Sequence, residues 1–244
     1  MAKPVAQNDD KKNAATLTWV APMAGVAWAT GVASKVLIPV PFTKLPNLPK
    51  GLLLSLYPPP DYKGSTCTIF IRNPEDAHHG SPGLRLDYDY NKSTKKVDYH
   101  WNVDGGGRAR ARFPNITNHM PVGLKGAVIY KAAKAFRIGG KIFFLSGALL
   151  DGISILTADR PFRRSFQVLS AWELSEYLAV EAGQIGAGLG TMVEPGFGTA
   201  IGGGIGALAG GFFGYFTAEA AAGYVYDFAE GTRFKSMPEV FTQP

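Results

Sequence analysis

Between Gly196 and Ala218 the chain reads GFGTAIGGGIGALAGGFFGYFTA, an uncharged stretch in which glycine keeps returning at a spacing of four. That spacing places Gly198, Gly202, Gly206, Gly210 and Gly214 on one helical face, and Ala218 and Ala222 prolong the stripe. A glycine in a water-exposed helix interior costs about 1 kcal/mol relative to alanine. Five at this spacing make sense where a second backbone must approach closely. Small residues at every fourth position do this between membrane helices, and very tight helical hairpins use the same device. Upstream, Ala182, Gly186 and Gly190 keep the same period, and Glu194-Pro195-Gly196 breaks the helix between the two runs. The expectation is a helical hairpin with a glycine seam. Its second arm is long enough to cross about 30 Å of hydrocarbon, which takes roughly 20 residues. The face away from the seam carries Ile201, Ile205, Leu208, Phe212, Phe213, Tyr215 and Phe216, which suits lipid or a protein core.

The rest of the chain divides into blocks. Met1 to Thr16 is polar and is expected to be disordered. Leu17 to Ala33 is apolar but begins late, contains Pro22 and is bordered by Lys35, so it is not a signal peptide. Its own stripe of Ala21, Gly25, Ala29 and Ala33 makes it a third partner for the glycine seam; Pro22 argues for a docking helix or a non-helical segment. Seven prolines between Val36 and Pro60 exclude a helix or a central strand and imply an extended arm. From Asp61 the period becomes two. Thr66–Arg72, Leu84–Tyr90, Val97–Val103 and Arg108–Phe113 alternate as strands, with Leu84, Leu86, Tyr88 and Tyr90 on one buried face and Val97, Tyr99, Trp101 and Val103 matching them. Ala127–Arg137 then reads as a short basic helix and Ile142–Leu156 as an apolar one. Ser165–Ala182 is amphipathic, with Leu169, Trp172, Tyr177 and Leu178 inward and Glu173 and Glu176 outward.

The fold class expected is therefore α+β, a small antiparallel β-meander followed by a glycine-zipper helical hairpin or bundle. The blocks are an apolar segment with a proline-rich arm over 1–60, a β domain over 61–125, the helical domain over 126–232 and a loose end over 233–244. Charge is uneven. Met1–Phe136 carries 18 Lys/Arg against 9 Asp/Glu, a balance of +9, and the remainder carries 7 against 10, a balance of −3. A basic front half suits an anionic membrane surface, a nucleic acid or simple solubility. The single Cys67 excludes an internal disulfide.

The best constellation for chemistry lies on the polar face of the meander. If Tyr90 and Val97 close the first hairpin, Asp87 faces His100 and Asp89 faces Asp98. If a second hairpin turns at Gly105, His100 faces Arg110 and Asp98 faces Arg112. Asp87, His100 and Arg110 side by side would make an oriented general acid/base with an anion clamp, as phosphodiester hydrolysis requires. A solvated face with charges paired across strands is the plainer alternative. Adjacent His78 and His79 lack a third ligand at metal spacing, and His119 reads as a loop residue. No metal site and no cofactor is expected. There is no P-loop, dinucleotide fingerprint or nucleophile elbow. The comb of Arg108, Arg110 and Arg112 lacks interleaved aromatics, so no nucleic-acid partner is expected.

Residues Gly139–Gly231 resemble the glycine-zipper tails of bacterial polymorphic toxins and type VI secretion effectors. The resemblance lies in Gly147-Ala148-Leu149-Leu150-Asp151, Thr157-Ala158-Asp159, Glu194 through Gly203 and Tyr224-Val225-Tyr226-Asp227. It covers well under half the chain. Ala77-His78-His79 resembles part of a His-Asn-His nuclease motif whose remaining residues do not follow. The resemblance implies secretion without a signal peptide, action at a target-cell membrane, a cognate immunity protein and a secretion-apparatus or chaperone partner. The expected activity is membrane permeabilisation by the helices, with homo-oligomers set by packing along Gly186, Gly190 and Gly198 to Gly214. Two other readings stay open: an enzymatic toxin acting through the β domain, and a harmless membrane-docked structural protein.

Overall fold

A computed structural model of the chain describes residues 9–39, 52–58, 62, 67–72, 83–103, 116–194 and 196–235. In chain order these form α1 (Asp9–Lys35), β1 (Ile38–Pro39), β2 (Leu53–Ser55), β3 (Ile69–Arg72), β4 (Leu84–Asn91), β5 (Lys96–Val103) and β6 (Met120–Pro121). Three long helices follow: α2 (Gly123–Leu156), α3 (Pro161–Val193) and α4 (Phe197–Lys235). The fold is α+β, with an antiparallel sheet of order β1-β2-β3-β4-β5-β6 and a helical layer built on a hairpin.

The β4–β5 hairpin has the expected register, with Tyr90 opposite Val97, Asp89 opposite Asp98 and Asp87 opposite His100. Its turn sets this. The Asn91 side-chain oxygen accepts the backbone N–H groups of Ser93 and Thr94, and Lys95 takes a left-handed φ of 52° to close the loop. Leu84, Leu86, Trp101 and Val103 are buried, but Tyr90 and Val97 are exposed, contrary to the strict alternation. The hairpin tip extends past the described helices, which leave Tyr90 and Val97 uncovered. Tyr88, Tyr99 and Tyr130 of α2 mark the edge of the covered region, with ring centroids 5.2 to 6.1 Å apart.

Several sequence expectations need correction. Residues 9–16 are helical, because α1 is one continuous helix that contains Pro22. Once a helix is docked, each added residue gains a hydrogen bond at little entropic cost, and this outweighs one lost bond at proline. The proline-rich arm contributes β1 and β2, and β2 lies inside the sheet. It can do so because Leu53–Ser55 falls in a proline-free gap between Pro49 and Pro58. Arg108–Phe113 lies outside the described residues.

The two helices read between Ala127 and Leu156 are one, α2. Its glycines do not break it; they admit α1. A β-carbon at Gly147 would lie 2.7 Å from the backbone nitrogen of Trp28, and one on Gly31 would lie 2.6 Å from the backbone of Phe144. The stripe on α1 meets α4 beside the seam rather than at it, with Gly25 against Tyr215 and Ala29 against Gly211.

The glycine hairpin itself forms as expected. β-carbons at Gly186, Gly190, Gly198, Gly202, Gly206, Gly210 and Gly214 would each overlap a backbone carbonyl of the facing helix. The chain reverses through Gly196 at φ +92°, a conformation that glycine adopts freely. A hydroxyl chain seals the reversal. The Gly196 N–H donates to Thr199 Oγ1, which shares a 2.6 Å hydrogen bond with Thr191, and Thr191 donates to the Ala187 carbonyl. On α3 the inward line is Val168, Ala171, Ser175, Ala179, Gly183 and Ala187. Leu169 and Tyr177 therefore face outward, contrary to expectation, because small residues take the seam and push bulky ones around the helix. The four helices alternate in direction, and the sheet packs on the half of the hairpin nearest the α3–α4 turn, with Trp101 tilted against Phe197 at 5.1 Å, Leu54 against Gly203 and Ile38 against Gly183.

Two glycines two residues apart provide a clean test. Gly206→Ala should destabilise by about 1–3 kcal/mol, since its methyl meets the Ala182 carbonyl. Gly204→Ala, with open space at its β-carbon, should stabilise by about 0.5–1 kcal/mol. Chemical denaturation followed by circular dichroism reads both.

Candidate functional site

The outside of the helical layer is apolar. Leu124, Leu145, Leu149 and Leu156 on α2, Ile185, Leu189 and Val193 on α3, and Ile205, Phe213 and Tyr224 on α4 are all exposed. Among the described residues two helices, Gly123–Leu156 and Phe197–Gly231, are long and apolar enough to cross a membrane, and 22% and 39% of their most apolar windows are buried. A core helix of a water-soluble domain would be mostly covered. On α4 the uncharged run from Phe197 to Ala218 extends about 33 Å at 1.5 Å per residue. That matches the thickness of a bilayer's hydrocarbon. On α3, by contrast, Glu173, Glu176 and Glu181 are exposed midway along the helix.

Two arginines and two carboxylates form a charged rim where α3 begins. Arg163 holds Asp227 through two 2.7 Å hydrogen bonds, and Arg160 pairs with Glu230 at 2.9 Å, clasping the start of α3 to α4. Arg164 is instead buried. Its guanidinium donates to Ser154 Oγ at 2.9 Å, pairs with Glu219 and lies 3.5 Å from Asp151 Oδ1. Asp151 is fully buried and also accepts hydrogen bonds from Tyr215 Oη at 2.6 Å and Trp172 Nε1 at 2.7 Å. Trp172 in turn stacks on Trp28 of α1 at 4.1 Å. This network joins all four helices, and sequence reasoning missed it. The available signal was a carboxylate, Asp151, alone inside an apolar run, which is costly unless partnered.

The sheet holds the second cluster. Asp87, His100 and Asn102 are buried rather than solvated. Asp87 and His100 stand opposite each other across β4 and β5. Asn102 Nδ2 bridges them, 3.2 Å from Asp87 Oδ2 and 3.1 Å from His100 Nε2. His100 Nδ1 faces the Asp98 carbonyl at 3.2 Å, which selects the Nδ1–H tautomer. Arg85 Nε lies 3.7 Å from Asp87. Arg110 lies outside the described residues, as do His78 and His79. The edge of His100 away from Asp87 is taken by Pro121 of β6. His119 is brought to the site by the turn before β6, its ring 4.8 Å from that of His100. Cys67, hydrogen-bonded to Tyr62 at 2.7 Å, is buried, and burial pushes its thiol up to about 11. It is no nucleophile at neutral pH.

No family model, no curated protein and no solved structure matches this chain.

Two outcomes follow from this geometry. Arg164→Ala leaves the buried Asp151 and the half-buried Glu219 without their cation and should cost about 3–5 kcal/mol in chemical denaturation, whereas Arg160→Ala should leave the midpoint nearly unchanged. Iodoacetamide should label Cys67 slowly at pH 8, at a rate rising about tenfold per pH unit toward 11, whereas the unfolded chain labels rapidly.

Proposed function

We propose that the chain is an antibacterial effector toxin that permeabilises a target-cell membrane with its glycine-seamed helices. The observation that carries this reading is the belt of exposed large apolar side chains around α2 and α4, the kind of surface that marks a membrane or partner contact. In lipid there is no hydrophobic drive to hold helices together, and close backbone contact at small residues supplies it. The seam therefore keeps its meaning in both environments. The sheet lies beside the half of the hairpin nearest its turn, with Leu54 against Gly203 and Ile38 against Gly183, so it moves off that half when the helices enter lipid. Glu173, Glu176 and Glu181 would be costly against hydrocarbon, so they face an aqueous path between copies of the chain. The resemblance of Gly139–Gly231 to effector tails supports delivery into a rival cell and restraint by an immunity protein.

An enzymatic reading of the sheet has less support. His100 is buried, its Nε2 is occupied by Asn102, and no cation faces it across β5 in the described ladder. A harmless docked protein would leave growing cells unaffected.

The experiment is expression in the periplasm and, separately, in the cytoplasm of bacteria carrying a voltage-sensitive dye. Depolarisation should precede growth arrest. Gly206→Leu should abolish it, and Gly204→Leu, whose β-carbon meets open space, should not. Killing with the potential intact and sensitive to His100→Ala would move the activity to the sheet.

A further inference from the structure

We propose that Asp89, His100 and His119 form a binding site for a late first-row divalent metal ion such as zinc. This stands independently of whether the helices enter a membrane. The three side chains come from β4, β5 and the turn before β6. Asp89 Oδ2 lies 3.6 Å from His100 Nε2 and 3.8 Å from His119 Nδ1, and all three donor atoms fall within 4.8 Å of one another. These separations are too long for hydrogen bonds, so the three atoms face a shared space. Ligands about 2.0–2.2 Å from a tetrahedral zinc sit about 3.3–3.6 Å apart, so the Asp89 separations nearly fit and the widest pair closes by about an ångström. A small inward movement of the two exposed side chains completes the set.

Three further features point the same way. The ladder places Asp89 directly opposite Asp98, and like charges in that position destabilise a sheet unless a cation lies nearby. His100 Nδ1 donates to the Asp98 carbonyl, an arrangement that metal-ligating histidines favour because it aims the other ring nitrogen's lone pair. His119 has a φ of +56°, uncommon for a residue with a β-carbon, and this backbone strain brings its imidazole beside that of His100. Asn102 occupies His100 Nε2 in this arrangement. A metal would replace that hydrogen bond, and the Asn102 amide retains Asp87.

The ligands border a groove of about 1010 Å³ that also reaches Gly123 and Leu124 at the start of α2. Two histidines and one carboxylate leave a coordination position open to water, as in zinc sites of the catalytic kind. The ion would also tie the β4–β5 hairpin to the segment that leads into α2. No sequence motif announces this site, because Asp89, His100 and His119 are widely separated and meet only through strand register.

Calorimetric titration of the full-length protein with Zn²⁺, and with Co²⁺ read by its ligand-field absorption, tests the assignment. One ion per chain should bind, and the cobalt spectrum should be that of a four- or five-coordinate ion. Asp89 and His119 have side chains 68% and 62% exposed, so D89N and H119A should fold normally. Each should weaken binding by at least about tenfold, and H78A/H79A should leave it unchanged. Absence of stoichiometric binding, or affinity that survives H119A, or affinity that follows His78 and His79 instead, would overturn the site.

Discussion

Along the α3–α4 hairpin two helix backbones meet with no side chain between them. At Gly186, Gly190, Gly198, Gly202 and Gly206 any β-carbon would overlap a carbonyl oxygen of the opposite helix. Dispersion falls steeply with distance, so this contact is strong only while the surfaces stay complementary along their whole length. Everything else in the helical layer follows from it. Because the seam admits only small residues, Leu169, Tyr177, Ile185 and Leu189 are displaced to the outside. A layer whose inside is glycine and alanine has its large apolar side chains on the outside.

The buried polar groups complete this inverted arrangement. Asp151, Arg164, Glu219, Tyr215 and Trp172 exchange hydrogen bonds where an ordinary bundle would hold leucines. Burying such charges gains little net stability, but leaving any one unpaired is expensive. The network ties α2, α3 and α4 together, since a change of rotation or stagger would separate its members. Near the opposite end, the hydroxyl chain through Thr191 and Thr199 plays the same part on a smaller scale. Backbone contact sets how close the helices lie, and the polar groups set their register.

The sheet follows a different logic. Its core residues alternate as a half-buried antiparallel sheet should, until the helical layer stops covering them near Tyr88 and Tyr99. Beyond that point the hairpin tip carries Asp89, Asp98 and Val97 into solvent. The polar side of the hairpin turns from buried, at Asn102 and His100, to exposed, at Asp98 and Asp89. The histidines stand at that boundary.

How much of this was legible beforehand depended on the range of the interactions. The sequence alone determined the glycine seam, the hairpin and the β4–β5 register. A spacing of four on a helix, a period of two in a strand and an Asn91 turn are local consequences of backbone geometry. The same locality explains the errors. Pro22 argued against a continuous α1, and α2 read as two helices, because such costs are local, whereas the docking that offsets them comes from another helix. Leu169 and Tyr177 read as core because size suggests burial, and only the facing glycines reverse that. Tertiary structure alone decided the meeting of Asp151 with Arg164 and Glu219, and of His119 with Asp89 and His100. Each of those clusters gathers residues from separate elements, and no pattern along a chain records which distant atoms folding will bring within reach.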